Sequence, residues 1–180
     1  MRLAETSLPG VRIIEGNPFL DERGSFSRTF CAREYGDLAF EIKQISISEN
    51  RKRYTLRGFH FQTKPFEEIK AILPMRGSLY DVVVDLRPES PTHLRWEAFE
   101  LSARRYEGIY VPAGCANAWL TLEDDTLVTY YISELFAPEH YVGIRHDDPF
   151  FEFRWPHAPE VISLRDRSFP DFRPGEKGRG

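Results

Sequence analysis

The sequence contains little cysteine and no long hydrophobic run, and both absences limit the kind of protein it can encode. Only two of its 180 residues are cysteine, Cys31 and Cys115. They lie far apart in unlike contexts, which favours a reduced cytoplasmic protein without disulfides. No apolar run approaches the roughly 20 residues that a membrane-spanning helix needs, and the N-terminus lacks the apolar segment of a secretory signal. We therefore expect a cytoplasmic protein with no membrane partner.

The chain also lacks an excess of charge of one sign. It has 24 Lys and Arg against 28 Asp and Glu, a formal net charge of −4, and the two signs are mixed along the sequence. Since nucleic-acid-binding proteins carry basic patches, we expect no nucleic-acid partner. Repeats and low-complexity segments are missing as well. The 41% of hydrophobic and 14% of aromatic residues suffice for one compact domain over residues 1–180.

What the chain has instead is a series of short strand-like runs separated by Gly, Pro and Asp. Ten of them follow one another between residues 10 and 133, among them TLRGFHFQ, EIKAILPMRG and SLYDVVVDL. Regular spacing of this kind is typical of an all-β sandwich or barrel. Residues 31–40 are the best helix candidate, the pattern becomes irregular after about residue 136, and residues 174–180 predict a flexible tail. We expect one closed β-domain, a small barrel or jelly roll around a ligand-sized cavity.

The segment RGFHFQ (57–62), followed by Lys70, is the strongest chemical signal. His60 and Lys70 fall on two predicted strands joined by a turn, so both side chains can face one cavity. On an alternating strand, His60 and Gln62 point to one side and Phe61 to the other. Histidine can transfer protons near neutral pH, and lysine can stabilise a developing oxyanion. The pair indicates proton-transfer chemistry, although a surface lysine and a half-buried histidine are the common alternative.

Further segments accompany this pair in a fixed order, with Tyr130 among them: DERGSF (21–26), DVVVDLRPESPT (81–92), YVPAGCANAW (110–119), APEHYVGIRHDDP (137–149) and LRDRSFP (164–170). In order and spacing they resemble the dTDP-4-dehydrorhamnose 3,5-epimerase family, sugar-nucleotide epimerases of the cupin superfamily, from about residue 12 to about residue 170. The resemblance implies an all-β, cupin-type jelly-roll or double-stranded β-helix barrel with a few short helices. It also implies a homodimer that exchanges N-terminal strands within about residues 1–50.

The resemblance further implies an isomerase that epimerises a nucleotide-linked 4-keto-6-deoxyhexose, such as dTDP-4-keto-6-deoxyglucose, at C3, C5 or both. His60 would be the base that removes the proton next to the 4-keto group, and Asp166 would fix the tautomer of its ring. Tyr130 would return a proton on the opposite face of the sugar, and Lys70 would stabilise the enolate oxygen. The implied substrate contacts are Arg23, Phe26, Gln44, Arg57, Gln62 and Asn117.

These residue types suit that reaction on chemical grounds. Removing a proton next to a ketone needs a positioned base and stabilisation of the enolate oxygen. Inversion needs an acid on the opposite face, which a phenol can supply. The forked guanidinium groups of Arg23 and Arg57 suit a diphosphate, and the resemblance implies that Arg23 reaches into a neighbouring subunit's site. No cofactor is required.

The same resemblance implies that no metal is bound. Metal-binding cupins carry a His-x-His pair, a Glu and a later His, and the corresponding positions here are His60, Gln62, Lys70 and Asn117. A lysine ammonium has no lone pair to offer, and amides are poor ligands for transition metals. Asn117 also departs from the family, which has at this position a histidine that helps to polarise the 4-keto oxygen. Asparagine keeps a neutral hydrogen-bond donor but brings no positive charge.

Two other functions remain compatible with the sequence. The departure at Asn117 permits a catalytically weakened member that only binds a nucleotide sugar. Retention of His60, Lys70, Tyr130 and Asp166 together argues against it, because a non-catalytic protein has little reason to keep all four. A ketoisomerase acting on the same class of substrate would use the same base and deliver the proton elsewhere.

Overall fold

The structure, a computed structural model, describes residues 1–175. Its strands in chain order are β1 Arg2–Glu5, β2 Arg12–Glu15, β3 Phe19–Asp21, β4 Gly24–Phe26, β5 Gln44–Asn50, β6 Thr55–Gln62, β7 Lys70–Arg76, β8 Ser78–Asp85, β9 Trp96–Ser102, β10 Glu107–Val111, β11 Cys115–Thr121, β12 Thr126–Ile132, β13 Tyr141–Gly143 and β14 Val161–Ile162. The α-helices are α1 Ala32–Tyr35 and α2 Leu164–Ser168, and single 3₁₀ turns occupy Gly36–Leu38, Ala103–Arg105 and Pro138–His140.

Two β-sheets face each other and form the body of the protein. The first has the order β1-β2-β10-β7-β12-β5, and the second has the order β13-β6-β11-β8-β9. Neighbours within both sheets are antiparallel, while β14 pairs with the start of β6 in parallel. Strands β3 and β4 form a separate hairpin. The crossovers between the sheets build a jelly roll, which confirms the predicted all-β fold class.

Each of the ten predicted runs overlaps one of the longer strands, β2 or β4. The elements that the sequence pattern does not predict are β1, β3, β13, β14 and α2, each of five residues or fewer. Such short segments carry too few alternating positions to show a period. The helix expected over residues 31–40 is a single turn, α1, followed by a 3₁₀ turn. Residues 176–180, most of the expected tail, lie outside the described residues.

Strand alternation separates the interior of the jelly roll from its outer faces. Ile72, Val83, Trp119 and Val128 belong to the cluster between the two sheets. Residues at the intervening positions pack on the outer faces: Ala71 and Leu73 lie under the α1 segment, and Val82, Val84, Ala116 and Ala118 lie under residues 144–155. Both sheets are therefore covered on their outer faces over much of their area, which explains the nearly continuous apolar run in β8.

Asp85 organises the loop that follows β8. It is fully buried, and its carboxylate accepts hydrogen bonds from the side chains of Arg87, Ser90 and Thr92 and from the backbone N–H of Arg87. Burial alone would raise the pKa of Asp85, but these donors outweigh it and hold the pKa far below its ordinary value. The DVVVDLRPESPT segment is thus a strand that ends in a turn held by its own carboxylate.

Gly58 lets β6 and β11 approach closely just before His60. Its φ is +114°, and a Cβ at this position would lie 2.6 Å from the carbonyl oxygen of Asn117 and from the Cα of Ala118. The pairing of β6 with β11 changes register between Asn117 and Trp119. A residue with a side chain would strain this backbone and separate the strands, so the glycine helps to set the position of His60.

Several large apolar side chains remain exposed in the single chain. On the β3–β4 hairpin, Phe19, Leu20 and Phe26 are 64%, 67% and 66% exposed, and on β5, Ile45 and Ile47 are 62% and 70% exposed. Strand β5 is also the edge of the first sheet. Exposed apolar residues on a sheet edge mark a surface suited to pairing with another chain. No helix among residues 1–175 is long and apolar enough to cross a membrane.

Candidate active site

A cavity of about 390 Å³ opens between the two sheets. Strands β5, β7 and β12 of the first sheet and β6 and β11 of the second supply most of its walls. The lining side chains are Gln44, Ser46, Ser48, Arg57, His60, Glu68, Lys70, Asn117, Trp119, Tyr130, Ile132, Phe136 and Tyr141. The cavity volume lies in the range of small-molecule sites.

His60 and Asp166 form a close pair at one side of this cavity. The Nε2 atom of His60 lies 2.7 Å from Oδ1 of Asp166, so an ionised Asp166 accepts the Nε2 proton and leaves Nδ1 with the lone pair. The imidazole is partly exposed to the cavity, whereas Asp166 is buried. The rings of Tyr141 and Phe169 lie 5.2 and 6.3 Å from the imidazole centroid. Their packing limits the orientations of the ring.

Helix α2 brings Asp166 to this position although it follows His60 by more than a hundred residues. Ser163 caps the helix by accepting a hydrogen bond from the backbone N–H of Asp166 at 3.0 Å. The parallel pairing of β14 with the start of β6 places the helix beside that strand. Burial opposes ionisation of Asp166, but hydrogen bonds from His60 and from the N–H of Gly58 outweigh it and lower the pKa of this carboxyl.

Lys70 is held at the floor of the cavity by a backbone carbonyl of β6 and by a carboxylate just before β7. Its Nζ atom donates to the carbonyl oxygen of His60 at 2.8 Å, across the cavity from β7 to β6. The same atom lies 2.9 Å from Oε1 of Glu68, and both side chains are nearly buried. An ammonium group has three donors, so these two contacts leave one for a bound molecule.

Tyr130 enters the cavity from the sheet opposite His60. It lies on β12, and its ring packs 6.4 Å from that of Trp119 between centroids. Burial raises the pKa of Tyr130 well above its ordinary value, and the nearby Arg57 offsets only part of that effect. The phenol therefore stays protonated at neutral pH, as a proton donor must.

Arg57 and Gln44 lie at the cavity with their orientations fixed by hydrogen bonds. The Nε of Arg57 donates to Oδ1 of Asn50 at 2.9 Å, and its guanidinium carbon lies 6.0 Å from the ring centroid of Trp119. Gln44 donates from Nε2 to the carbonyl oxygen of Glu134 at 2.6 Å. The remaining donors of Arg57 are available to an anion.

Asn117 is nearly buried on β11 and points between the sheets toward the cavity floor. Its Nδ2 donates to Oδ2 of Asp81 at 3.2 Å. The hydrogen bond to Asp81 uses one N–H of the amide, and the second N–H and the amide oxygen take no part in it. Asn117 can thus offer the cavity a neutral hydrogen bond.

Gln62 does not line the cavity, in contrast to its expected role in binding substrate. It is 2% exposed. Its Nε2 donates to the carbonyl oxygens of Phe66 and Leu135 at 2.9 and 3.1 Å, and its Oε1 accepts from the N–H of Ala137 at 2.6 Å. All three of these contacts are made with the backbone of loop residues. Its amide therefore joins two loops.

Arg23 and Phe26 also lie away from the cavity of their own chain. Both belong to the β3–β4 hairpin, where Phe26 is exposed and the Arg23 side chain is 81% exposed beside Asp21. Neither is among the lining residues. Within one chain, the expected site is therefore made by the remaining predicted residues.

Several of the lining residues are not predicted from the sequence, although the alternation of side chains along the strands could have indicated some of them. Ser46 and Ser48 continue the face of β5 that begins with Gln44, and Glu68 precedes Lys70 by two positions. Polar residues two apart on a strand that also bears a functional side chain share its face. Tyr141 and Phe136 had no such signal, because they lie in the irregular segment after β12.

The arrangement can carry out proton transfer to and from a carbon acid. One sheet brings a base that is paired with a carboxylate, the other brings a protonated phenol, and the ammonium of Lys70 lines the same cavity. Among the described residues, no group of three or more His, Cys, Asp and Glu side chains is arranged to hold a metal ion.

Comparison with known proteins identifies relatives along nearly the whole chain. The sequence model of the dTDP-4-dehydrorhamnose 3,5-epimerase family matches residues 5–174. An enzyme of that name from Methanothermobacter thermautotrophicus is 36% identical over 177 residues, covering 96% of this chain and 95% of the relative. The crystal structure of the Bacillus anthracis enzyme with TDP and PPi bound superposes with a TM-score of 0.91 at 32% identity, covering 95% of this chain and 99% of that one.

A further solved structure is that of ChmJ, a 3'-monoepimerase from Streptomyces bikiniensis, in complex with dTDP-quinovose. It superposes with a TM-score of 0.86 at 31% identity and covers 95% of this chain and 87% of that one. The relatives thus include enzymes named as epimerases at two positions of the sugar, and one enzyme named as an epimerase at a single position.

Replacing Gln62 with methionine should lower the stability of the protein. The variant Gln62→Met keeps the volume of the side chain but leaves two carbonyl oxygens and one N–H of the loops without their partner. We expect the free energy of unfolding to fall by about 2–4 kcal/mol, measured by urea denaturation. Gln44→Met, which removes one hydrogen bond at a less buried position, is the matched control. A loss for Gln62→Met no larger than that of the control would contradict the structural role.

Proposed function

The chain belongs to the dTDP-4-dehydrorhamnose 3,5-epimerase family, and from that premise we propose that it epimerises a nucleotide-linked 4-keto-6-deoxyhexose at C3, C5 or both, without a cofactor. The enzyme is an isomerase, and its proposed substrates are sugars of the same class as dTDP-4-keto-6-deoxyglucose. The cupin-type fold that the sequence resemblance implied agrees with the jelly roll of this chain and of its solved relatives.

One observation carries the catalytic assignment. His60, paired with Asp166, and Tyr130 belong to opposing sheets and line the same cavity. A sugar ring held between the sheets would present one face to the imidazole and the other to the phenol. Epimerisation needs this arrangement, because the proton leaves from one face and must return on the other.

The reaction proceeds through an enolate. Nδ1 of His60 takes the proton from the carbon next to the ketone, and the electrons of the broken C–H bond move onto the C4 oxygen. The resulting imidazolium is stabilised by Asp166, which accepts its Nε2 proton in a hydrogen bond. Tyr130 then donates its proton to the opposite face of the same carbon while the C4 carbonyl re-forms. The imidazolium of His60 then releases its extra proton to solvent, and the tyrosinate of Tyr130 takes one up, so both side chains return to their starting states.

The free donor of Lys70 would contact the C4 oxygen and stabilise the enolate. An oxyanion-type donor that acts in a nearly buried site contributes about 3–4 kcal/mol to the transition state. Asn117 adds a neutral donor on the same floor of the cavity. The ketone oxygen would thus receive hydrogen bonds from two groups, one of them charged.

The nucleotide part of the substrate would extend from the sugar toward the mouth of the cavity. Arg57 supports this placement, since its guanidinium has donors left for a diphosphate. Gln44, Tyr141 and Phe136 line the cavity near the same opening and offer polar and aromatic contacts. The structures of relatives with TDP or a dTDP-sugar bound support a thymidine nucleotide as the ligand class.

A homodimer would complete each site. The exposed β3–β4 hairpin and the edge strand β5 carry large apolar side chains, which a second copy would cover. Arg23 is 81% exposed at the end of that hairpin and would reach the diphosphate in the partner's cavity, with Phe26 beside it. We place the enzyme in the cytoplasm, which suits its two free cysteines.

Replacing His60 and Tyr130 should separate proton removal from inversion. In D₂O, His60→Ala should slow deuterium exchange into the sugar by about 10²–10⁴-fold because the base is gone. Tyr130→Phe should keep exchange on the His60 face but reduce net inversion by a similar factor. Proton NMR of the substrate reports exchange, and a coupled reduction assay reports the epimer formed.

His93→Ala, at an exposed histidine away from the cavity, serves as the control and should behave as the wild type. Wild-type exchange in His60→Ala would end the assignment of the base. Wild-type inversion in Tyr130→Phe would end the assignment of the acid. A sugar that exchanges its proton but yields a 3-keto product would instead identify a ketoisomerase.

Mixing two impaired variants should restore activity if Arg23 acts on the partner's site. Arg23→Ala should weaken substrate binding about tenfold or more, and His60→Ala should lack the base. In a hybrid dimer, the subunit with Arg23→Ala keeps its own His60 and receives an intact Arg23 from its partner, so this one site has neither defect. Random mixing makes about half of the dimers hybrids, and about a quarter of all sites are therefore restored. Turnover at a subsaturating substrate concentration is the measurement.

Native mass spectrometry would verify that hybrid dimers have formed. Absence of recovery in a mixture that contains them would contradict the role of Arg23 in the partner's site. A protein that remains monomeric at assay concentration and is fully active would contradict the dimer itself.

A further inference from the structure

Asp81 is a carboxylic acid in the interior of the jelly roll. It lies on β8 between Leu79 and Val83, whose side chains belong to the core between the sheets, and its own exposure is 0%. Its Oδ2 accepts a hydrogen bond from the amide of Asn117 at 3.2 Å. Its Oδ1 is buried and has no hydrogen-bond partner among the described residues. Within residues 1–175, the only side chain that donates a hydrogen bond to this carboxyl is therefore a neutral amide.

The cation whose charge acts on this carboxyl, Lys70, is already paired with another carboxylate. Lys70 pairs with Glu68 at 2.9 Å and donates a further hydrogen bond to the carbonyl oxygen of His60. The two carboxyls, Glu68 and Asp81, thus share one ammonium, and Glu68 holds it. No hydrogen bond or ion pair joins Asp81 to Lys70 among the described residues. An ionised Asp81 would leave one unbalanced negative charge in the core.

The state of the carboxyl follows from the cost of each alternative. A carboxylate oxygen buried without a donor loses the whole of its hydration, whereas a buried hydroxyl without an acceptor loses much less. Burial raises the pKa of Asp81 well above its ordinary value, and the hydrogen bond from Asn117 and the charge of Lys70 offset only part of this. Tyr130, the other titratable group that acts on Asp81 across the interior, is itself protonated at neutral pH.

We propose that Asp81 is a positioning residue that stays uncharged at neutral pH and holds the Asn117 amide at the floor of the cavity. The uncharged acid fixes the amide without placing a negative charge beneath the C4 oxygen, where it would repel the enolate. This catalytic consequence rests on the proposed function, but the protonation state does not. A comparable use of a protonated aspartic acid is known from ketosteroid isomerase.

Stability as a function of pH tests the protonation state without any substrate. Because the pKa of Asp81 is raised on folding, the unfolded chain releases the proton above about pH 4 while the folded protein keeps it. The wild type therefore loses stability relative to Asp81→Asn as the pH rises. The ratio of their unfolding constants should change by about tenfold per pH unit from pH 5 upward, until Asp81 ionises in the folded protein.

Asp85→Asn is the matched control, because Asp85 lies on the same strand and is equally buried but is held by Arg87, Ser90 and Thr92. Its pKa is lowered on folding, so its contribution to stability is present above about pH 4 and lost only in acid. Asp85→Asn should thus be less stable than the wild type by a constant factor from pH 5 to 8. The same constant behaviour for Asp81→Asn would overturn the proposal.

A spectroscopic measurement on the wild type guards against a variant that does not fold. In the ¹³C-labelled protein at pH 7, the carboxyl carbon of Asp81 should resonate at the position of a protonated acid and that of Asp85 at the position of a carboxylate. A carboxylate signal for Asp81 at pH 7 would overturn the proposal, whatever the enzyme's activity.

Kinetics test the positioning role. Asp81→Asn keeps an uncharged acceptor for Asn117, so its kcat should stay within about threefold of the wild type at pH 7. Asp81→Leu keeps the volume but removes the acceptor, and its kcat should fall by about tenfold or more while KM changes little. Equal losses of kcat in both variants would contradict the proposal, since the uncharged acceptor would then not be sufficient.

Discussion

The hydrogen bond between Nε2 of His60 and Oδ1 of Asp166 is the interaction on which the site depends. It joins β6, which lies between β13 and β11 in the second sheet, to helix α2 near the C-terminus. Gly58 allows β6 to pass close to β11, Ser163 caps the helix, and β14 sets the helix beside the strand. Each of these features has a local cause in the sequence, and together they give one imidazole nitrogen a lone pair that faces a cavity.

The strands could be predicted from the sequence because alternation and turn residues act locally. The positions of His60, Lys70, Tyr130, Arg57, Gln44 and Asn117 around one cavity follow from the family resemblance combined with that alternation. The contacts of Gln62 could not be predicted in this way, because alternation predicts the side of the strand to which a side chain points but not which residues pack against that side. The loops that accept and donate to its amide come from residues 66 and 135–137, and no local pattern in the sequence indicates that contact.

The role of Glu68 and the state of Asp81 also required the structure. In the sequence they are two of 28 acidic residues, and their neighbours give no sign that they share the environment of Lys70. Only the facing of two sheets brings one ammonium and two carboxyls together in a region of low exposure. Polar groups inside a core cost stability unless each is paired, and their concentration at the floor of this cavity indicates selection for chemistry there.

If His60 removes a proton next to the ketone of a nucleotide-linked sugar, the sugar must exchange that proton with solvent. Proton NMR of dTDP-4-keto-6-deoxyglucose incubated with the wild-type protein in D₂O measures this exchange. We expect loss of the proton signal at C3, at C5 or at both, with the inverted epimer formed at each carbon that exchanges. A sugar that keeps both protons while its nucleotide binds to the protein would show a binding protein instead of an epimerase.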